Sequence, residues 1–356
     1  MIKVAILPER YGPVFSPCAS IRLASFFDSL RAGGGEIEVR YLILPELEAY
    51  KPDLVVWHRV ALPTLQDIDE LGQILRRIDA RAIYDLDDNL LDLDGHGEAA
   101  AYESKKRAVR ESLKMADEVW CSTTRLAERV ATETGARVVH LPNALAPEYW
   151  PTRSALGASN GHQPLRMIYM GTRTHDDDFH LLERALVRAD EVAPGSFTLT
   201  TVGVRANCRS SRQSWLKELD PPAHVGASYP AFTHWFAQQG GFDLGVAPLI
   251  DNRFNACKSC IKVLDYAAVG LPTLASNVPA YSDSLRDGSD CLLVDNDTQA
   301  WSSAVLRICK DRASLASLRE PAARLVAPSV FLEGVDARLK RVMDVADSRL
   351  GAGART

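Results

Sequence analysis

Short apolar runs separated by longer stretches of helical period dominate this chain, and they confine it to a narrow set of folds. In the first half, residues 4–7, 39–42, 54–57, 82–84, 118–121 and 138–141 form runs of strand length. Between them, 21–30, 65–78, 99–115 and 125–134 carry apolar residues at helical spacing. Strand followed by helix, repeated, specifies an α/β fold with doubly wound parallel sheets. The alternation lapses at PTRSALGASNGHQP, residues 151–164, which is rich in Gly, Ser and Pro and has no period. Such a stretch reads as a linker or exposed loop. Strand-like runs resume at 167–170, 198–202, 244–247, 273–275 and 291–294, and helices are expected at 179–190, 212–219, 258–269 and 299–310. A last helix, 331–349, follows Pro328, and the GAGART tail reads as disordered.

The expected organisation is an N-terminal domain over 1–150, a linker at 151–164, a second domain over 165–327, a helix at 328–350 and a tail at 351–356. With 356 residues and 46% hydrophobic content, the chain has material for two cores. Its net charge of -5 excludes broad nucleic-acid binding, which requires a basic domain. Seven cysteines at irregular spacing point to reduced thiols and a cytoplasmic protein. No apolar stretch reaches the roughly 18 residues that span a bilayer, and the first residues have no signal-peptide design.

The segment richest in chemistry is 243–276, DLGVAPLIDNRFNACKSCIKVLDYAAVGLPTLAS. Its helix is expected to start near Lys258 or Ser259 and to stop at Gly270, with Pro272 beyond. On a helix Lys258, Lys262 and Asp265 share one face, and Ile261, Leu264 and Ala268 another. Two lysines, the Ser259 hydroxyl and the free N–H groups of a helix start suit a pyrophosphate, and a carboxylate farther along suits sugar hydroxyls. The same spacing also describes a solvated helix face with an internal ion pair.

The string KSCIKVLDYAAVGLPTLAS, continuing to DGSDCLLVDND, resembles glycosyltransferases of the GT-B fold, in particular retaining family four and its relatives. The resemblance implies two Rossmann-like domains facing a cleft, with acceptor bound by the first and a nucleoside-diphosphate sugar by the second. It makes Lys258 and Ser259 diphosphate contacts and puts Lys262 in the same positive site. Asp265, followed by Tyr266, stands where the family has a ribose-binding glutamate. Cys257 stands where the family has the glutamate that contacts the donor sugar.

A second match is MGTRTHDDDFHLLERAL, 170–186. Here Gly171 permits close backbone approach, Arg173 would neutralise the leaving diphosphate, and His175 would line the cleft. Asp176, Asp177 and Asp178 read as helix-capping acids, with a metal cluster as the alternative.

In the first half, IYDLDDNLLDLD puts Asp85, Asp87 and Asp88 at a strand's carboxyl end. Metal use at Asp-x-Asp belongs mainly to the GT-A fold, so Asp87 and Asp88 are taken as acceptor contacts or as structural residues of the cleft. One of them would be a general base if configuration inverts. The resemblance places Arg22, in SPCASIRLASFF, at a helix start facing the cleft as an acceptor contact, with a plain surface arginine as the alternative. His58 and Arg59 follow the strand LVVW as candidate contacts to acceptor or donor; His58 is taken as an acceptor contact, with a structural histidine as the alternative. Lys105, Lys106, Arg107 and Arg110 form either a solvated helix face or an approach to an anionic lipid carrier or membrane surface.

There is no G-x-G-x-x-G after the first strand and no P-loop. Cys257 and Cys260 form a C-x-x-C without a second pair, and a helix start there would acidify either thiol. The resemblance implies a metal- and cofactor-independent glycosyltransferase. Arg173, Lys258 and Lys262 would stabilise charge on the departing diphosphate, and the acceptor would be a glycan or lipid-linked hydroxyl. The alternatives are a sugar-nucleotide epimerase of the same fold and a non-catalytic glycan- or nucleotide-binding protein.

Overall fold

The computed structural model describes residues 1–94, 99–151, 164–171, 176–203, 213–226 and 228–352. Residues 152–163 of the expected linker and 353–356 of the tail lie outside these. The first sheet comprises β1 (Ile2–Leu7), β2 (Ile37–Tyr41), β3 (Leu54–His58), β4 (Arg81–Leu86), β5 (Glu118–Cys121) and β6 (Arg137–His140). The second comprises β7 (Leu165–Met170), β8 (Phe197–Val202), β9 (Leu216–Leu219), β10 (Leu244–Ala247), β11 (Thr273–Ser276) and β12 (Leu292–Val294). The principal helices are α1 (Ser25–Gly33), α2 (Leu65–Ile78), α3 (Lys106–Met115), α4 (Thr124–Ala131), α5 (Asp176–Val192), α6 (Tyr229–Ala237), α7 (Ile261–Ala268), α8 (Thr298–Lys310), α9 (Ala313–Leu325) and α10 (Pro328–Ala352).

All pairings within the two sheets are parallel, in the orders β2-β1-β3-β4-β5-β6 and β9-β8-β7-β10-β11-β12. Each sheet has a crevice where the strand order turns back, between β1 and β3 and between β7 and β10. Ligands of open α/β sheets bind at the carboxyl ends beside such a crevice. Strands such as β3 are buried along their whole length because both faces are covered. On the first sheet, one face packs on Leu71, Leu75, Val109 and Leu113, and the other on Phe27, Val342 and Val345. The last two residues belong to α10, which returns to the N-terminal domain. There Phe331 stacks on Phe26 at 5.0 Å, and Arg341 Nε donates to Glu118 at 2.8 Å.

Two expectations fail locally. The helix expected at 212–219 is instead, over Leu216–Leu219, the edge strand β9, in register with β8 from Leu199↔Leu216 to Val202↔Leu219. Four residues cannot sustain a helix against the open edge of β8, so tertiary pairing overrides local propensity. Helices α6 and α9 were not expected at all.

The crevice between β7 and β10 is closed by Tyr266, which is fully buried. Its hydroxyl accepts from Met170 N at 3.0 Å and lies 3.2 Å from the carbonyl oxygens of Ile168 and Val246. Its ring rests against Gly245, where a Cβ would meet ring carbons at 2.6 Å. Gly245→Ala is expected to cost about 1–3 kcal/mol through overpacking, read as a lower thermal midpoint. An unchanged midpoint would mean that the ring is free to move aside.

Candidate functional site

On the C-terminal side the site is built on α7 and the strand ends beside it. Helix α7 begins at Ile261, after Cys260, and Gly270 follows it at φ +73. Lys258 lies before the helix in an extended conformation, φ -69 and ψ 153, so it does not share a helical face with Lys262 and Asp265. The reason is a 3-10 turn, Asn255–Cys257, capped by the Asn252 side chain accepting from Asn255 N at 2.7 Å. The Lys258 ammonium lies 5.0 Å from the Phe254 ring centroid.

Lys262 carries the strongest signal in this half. Its Nζ is buried and makes no hydrogen bond among the described residues, and it sits 4.8 Å over the ring of Tyr169 near the end of β7. Burial pushes its pKa down to about 8; Asp178 opposes the fall, neighbouring Lys258 adds to it, and Asp265 opposes it. Asp265, one turn along, is buried and accepts from the Tyr229 hydroxyl at 2.7 Å. Burial pushes its carboxyl up to about 7, against that hydrogen bond and the Lys262 charge. Asp178, in the first turn of α5 with Asp176 and Asp177, accepts from Ile250 N at 2.6 Å. Gly171 ends β7 with its N–H bonded to Val202 O at 3.0 Å. Arg173 and His175 lie outside the described residues. Tyr266 is the buried strut described above and presents no surface to a ligand. The thiols are not acidified: burial pushes Cys257 up to about 11 and raises Cys260 as well. The short α7 begins after both sulfurs are already enclosed, so desolvation outweighs its dipole.

On the N-terminal side a cluster of charges gathers at the ends of β1, β3 and β4. Arg22 is completely buried and forks onto Asp85, Nε to Oδ1 at 3.1 Å and Nη2 to Oδ2 at 2.6 Å. It is therefore an internal brace and not a side chain open to acceptor. His58 is also fully buried, with Nε2 at 3.7 Å from Asp85 and 3.8 Å from Asp87. Burial, with the Arg59 and Arg22 charges, outweighs Asp85 and takes its pKa down to about 3, so the imidazole stays neutral.

Asp87 and Asp88 retain some exposure and meet the Arg59 guanidinium at 3.3 and 3.1 Å. Arg59, a candidate contact beside His58, is the centre of this cluster. It follows β3 at φ 47, a left-handed conformation rare outside glycine. It also donates to Cys18 Sγ at 2.9 Å and to the Tyr102 hydroxyl at 3.3 Å, and lies 3.7 Å from the buried Glu9. Cys18, Asp87 and Asp88 have ligand atoms close enough to share a metal ion. The Arg59 guanidinium, however, reaches all three and offsets part of the charge of the two carboxylates, and burial holds the Cys18 thiol protonated. Glu9 and Cys18 had no sequence signal, because nothing in their neighbours marks them as charged partners of residues 40 or more positions away.

Nearby basic residues are mostly engaged. Lys106 pairs with Glu103 at 2.7 Å, Arg110 with Glu133 at 3.5 Å, and Lys105 lies 4.8 Å over the Tyr102 ring.

The two halves meet through residues 253–259. Phe254 and Cys257 are embedded in the N-terminal core. Thr123 donates to Cys257 O at 2.9 Å, and Asn143 Nδ2 donates to Ser259 Oγ at 2.8 Å. The cleft-side loop of the C-terminal domain is thus docked on its partner domain.

Comparison with known proteins agrees with this architecture. Residues 165–311 match the family described as "Glycosyl transferases group 1". No curated protein matches the chain. Among solved structures, Anabaena HepE in complex with UDP and glucose is 12% identical with a TM-score of 0.65, covering 97% of this chain and 100% of that one. Sucrose-phosphate synthase from Thermosynechococcus elongatus is 13% identical with a TM-score of 0.66, over 97% and 100%. A putative UDP-N-acetylglucosamine 2-epimerase from Listeria monocytogenes is 11% identical with a TM-score of 0.57, over 96% and 97%. Two parallel α/β domains give this chain the GT-B fold of these structures, and its second domain, over 165–311, is similar to the group 1 glycosyl transferases.

Proposed function

We propose that the chain transfers a glycosyl group from a nucleoside-diphosphate sugar to a hydroxyl of a glycan or lipid-linked acceptor, with retention and without a metal. The observation that carries this reading is Lys262, a buried ammonium with no hydrogen-bond partner among the described residues, beside the crevice of the group 1 domain. An unpaired buried cation is costly and finds its balance in an anion. The donor diphosphate supplies that anion, and its charge grows as the anomeric C–O bond breaks. Lys262, with Lys258 and Ser259 before the helix, stabilises that growing charge. Arg173 belongs to the same proposal. Asp265 would take the ribose hydroxyls. Asp87 and Asp88 would take acceptor hydroxyls, with the neutral His58 beneath them. Docking of residues 253–259 on the N-terminal domain would exclude water from the reacting centre.

The test is a thermal-shift and calorimetric panel of UDP, GDP, dTDP and ADP with and without EDTA. One diphosphate is expected to stabilise the protein regardless of EDTA; a shift that needs metal would return Cys18, Asp87 and Asp88 to consideration as ligands. Binding is expected to be tightest between about pH 7 and 8. Below that window Asp265 takes up a proton and stops accepting from hydroxyls. Above it Lys262 loses its proton in the free protein, and affinity falls by up to about tenfold per pH unit. A flat profile from pH 6 to 9 would remove both residues from the site.

The likeness to an epimerase structure keeps one other reading in view. An epimerase would interconvert the donor sugar with no acceptor present, which NMR of the donor alone would reveal.

A further inference from the structure

A continuous hydrogen-bonded chain runs from the N-terminal charge cluster to the loop before α7. Asp85 is gripped by Arg22 through two bonds, of 3.1 and 2.6 Å. The third nitrogen of Arg22, Nη1, donates to Leu141 O at 2.5 Å and to Asn143 Oδ1 at 3.1 Å. Asn143 Nδ2 then donates to Ser259 Oγ at 2.8 Å, across the domain boundary. The direction of every link is settled by chemistry. A guanidinium has only donors, so the Asn143 oxygen must face Arg22. The amide N–H must then face Ser259, whose oxygen is obliged to accept. The Ser259 hydroxyl proton is therefore left over for a different acceptor, and Ser259 is only half-buried.

We propose that Asn143 is a positioning residue for the donor diphosphate: it holds the Ser259 hydroxyl as an accepting partner, so that its proton is directed to a diphosphate oxygen. This rests on the donor-site reading above and deepens it. Asn143 belongs to the N-terminal domain, so Ser259 is oriented only while the two domains are docked. The anionic donor would then be held fully only in the closed arrangement, which ties donor binding to the exclusion of water.

The experiment measures the Kd of the panel diphosphate that binds wild type most tightly, in wild type, Asn143→Ala, Ser259→Ala and the double variant. Asn143→Ala is expected to weaken binding about five- to tenfold in wild type, less than the roughly 10- to 100-fold of a whole hydrogen bond to a charged group, because Ser259 keeps its hydroxyl and loses only its orientation. In the Ser259→Ala background it is expected to change Kd less than twofold. An equal loss in both backgrounds would overturn the proposal, because Asn143 would then act only by holding the domains together. No loss in wild type would overturn it as well.

Asn143→Asp guards against misfolding, since a carboxylate still accepts from Arg22. It would draw the Ser259 proton to itself and is expected to weaken binding more than Asn143→Ala does; affinity equal to wild type would count against the proposal. Lys262→Met serves as the control. If that variant binds as tightly as wild type, the donor site itself is misplaced and the role of Asn143 falls with it. If Lys262→Met weakens binding while the Asn143 cycle is additive, only the positioning role fails.

Discussion

Lys262→Met is expected to raise the thermal midpoint of the free protein while abolishing most of its affinity for a nucleoside diphosphate. The two effects have one cause. A buried ammonium whose pKa has fallen to about 8 is held in a place that disfavours its charge. Because the folded pKa lies below the unfolded one, Lys262 opposes folding at neutral pH and does so less as pH rises. Methionine fills a similar volume over the Tyr169 ring without the charge, so the midpoint should rise by roughly 3–8 °C at pH 7. The same substitution removes a charge-assisted contact, worth roughly 10- to 100-fold in Kd. Differential scanning fluorimetry and titration calorimetry on the same preparation read both. A lower midpoint with unchanged affinity would make Lys262 a structural residue.

Arg22→Met is expected to do the opposite, lowering the midpoint by damaging the fold around a fully buried side chain. It leaves Asp85 as an uncompensated carboxylate in a fully buried position, beside His58 and Asp87. Breaking a buried pair from one side typically costs about 3–5 kcal/mol. Leu141 O and Asn143 Oδ1 lose a donor as well. The double variant Arg22→Met/Asp85→Leu removes both charges and is expected to recover a substantial part of the loss. Guanidinium chloride unfolding followed by tryptophan fluorescence compares the three proteins, because the buried Trp57 and Trp120 both lie in the N-terminal sheet. A single variant as stable as wild type would show that water reaches Asp85.

Between these two cases lies the difference between a group we propose is held for function and one held for structure. Both are buried cations of similar length. Arg22 has its carboxylate within 2.6 Å, whereas Lys262 makes no hydrogen bond among the described residues. Their sequence contexts do not distinguish them. The resemblance marked Arg22 as facing the cleft and Lys262 as part of a donor site, and only the partner at hand separates their roles.

What the sequence determined by itself is the doubly wound architecture of both halves. Apolar runs of strand length alternating with helical periods are local properties, and the capping box of α2, in which Thr64 and Asp67 cap each other, is equally local. Lys262 and Asp265 on one helical face were legible for the same reason, since they are three residues apart. The tertiary structure decided what lies outside that range. Lys258 left the helix because the 3-10 turn before it is held in place by Phe254 and Cys257, anchored in the other domain. Residues 216–219 became a strand because β8 had an open edge. Arg22 meets Asp85 across 63 positions, Asn143 meets Ser259 across 116, and Arg341 meets Glu118 across 223. Periodicity extends over a few turns of helix or strand, whereas the partner of a buried charge is chosen by how whole elements pack. Composition and spacing therefore reveal the fold and the helix that carries Lys262 and Asp265, and only packing reveals which buried charges are already satisfied.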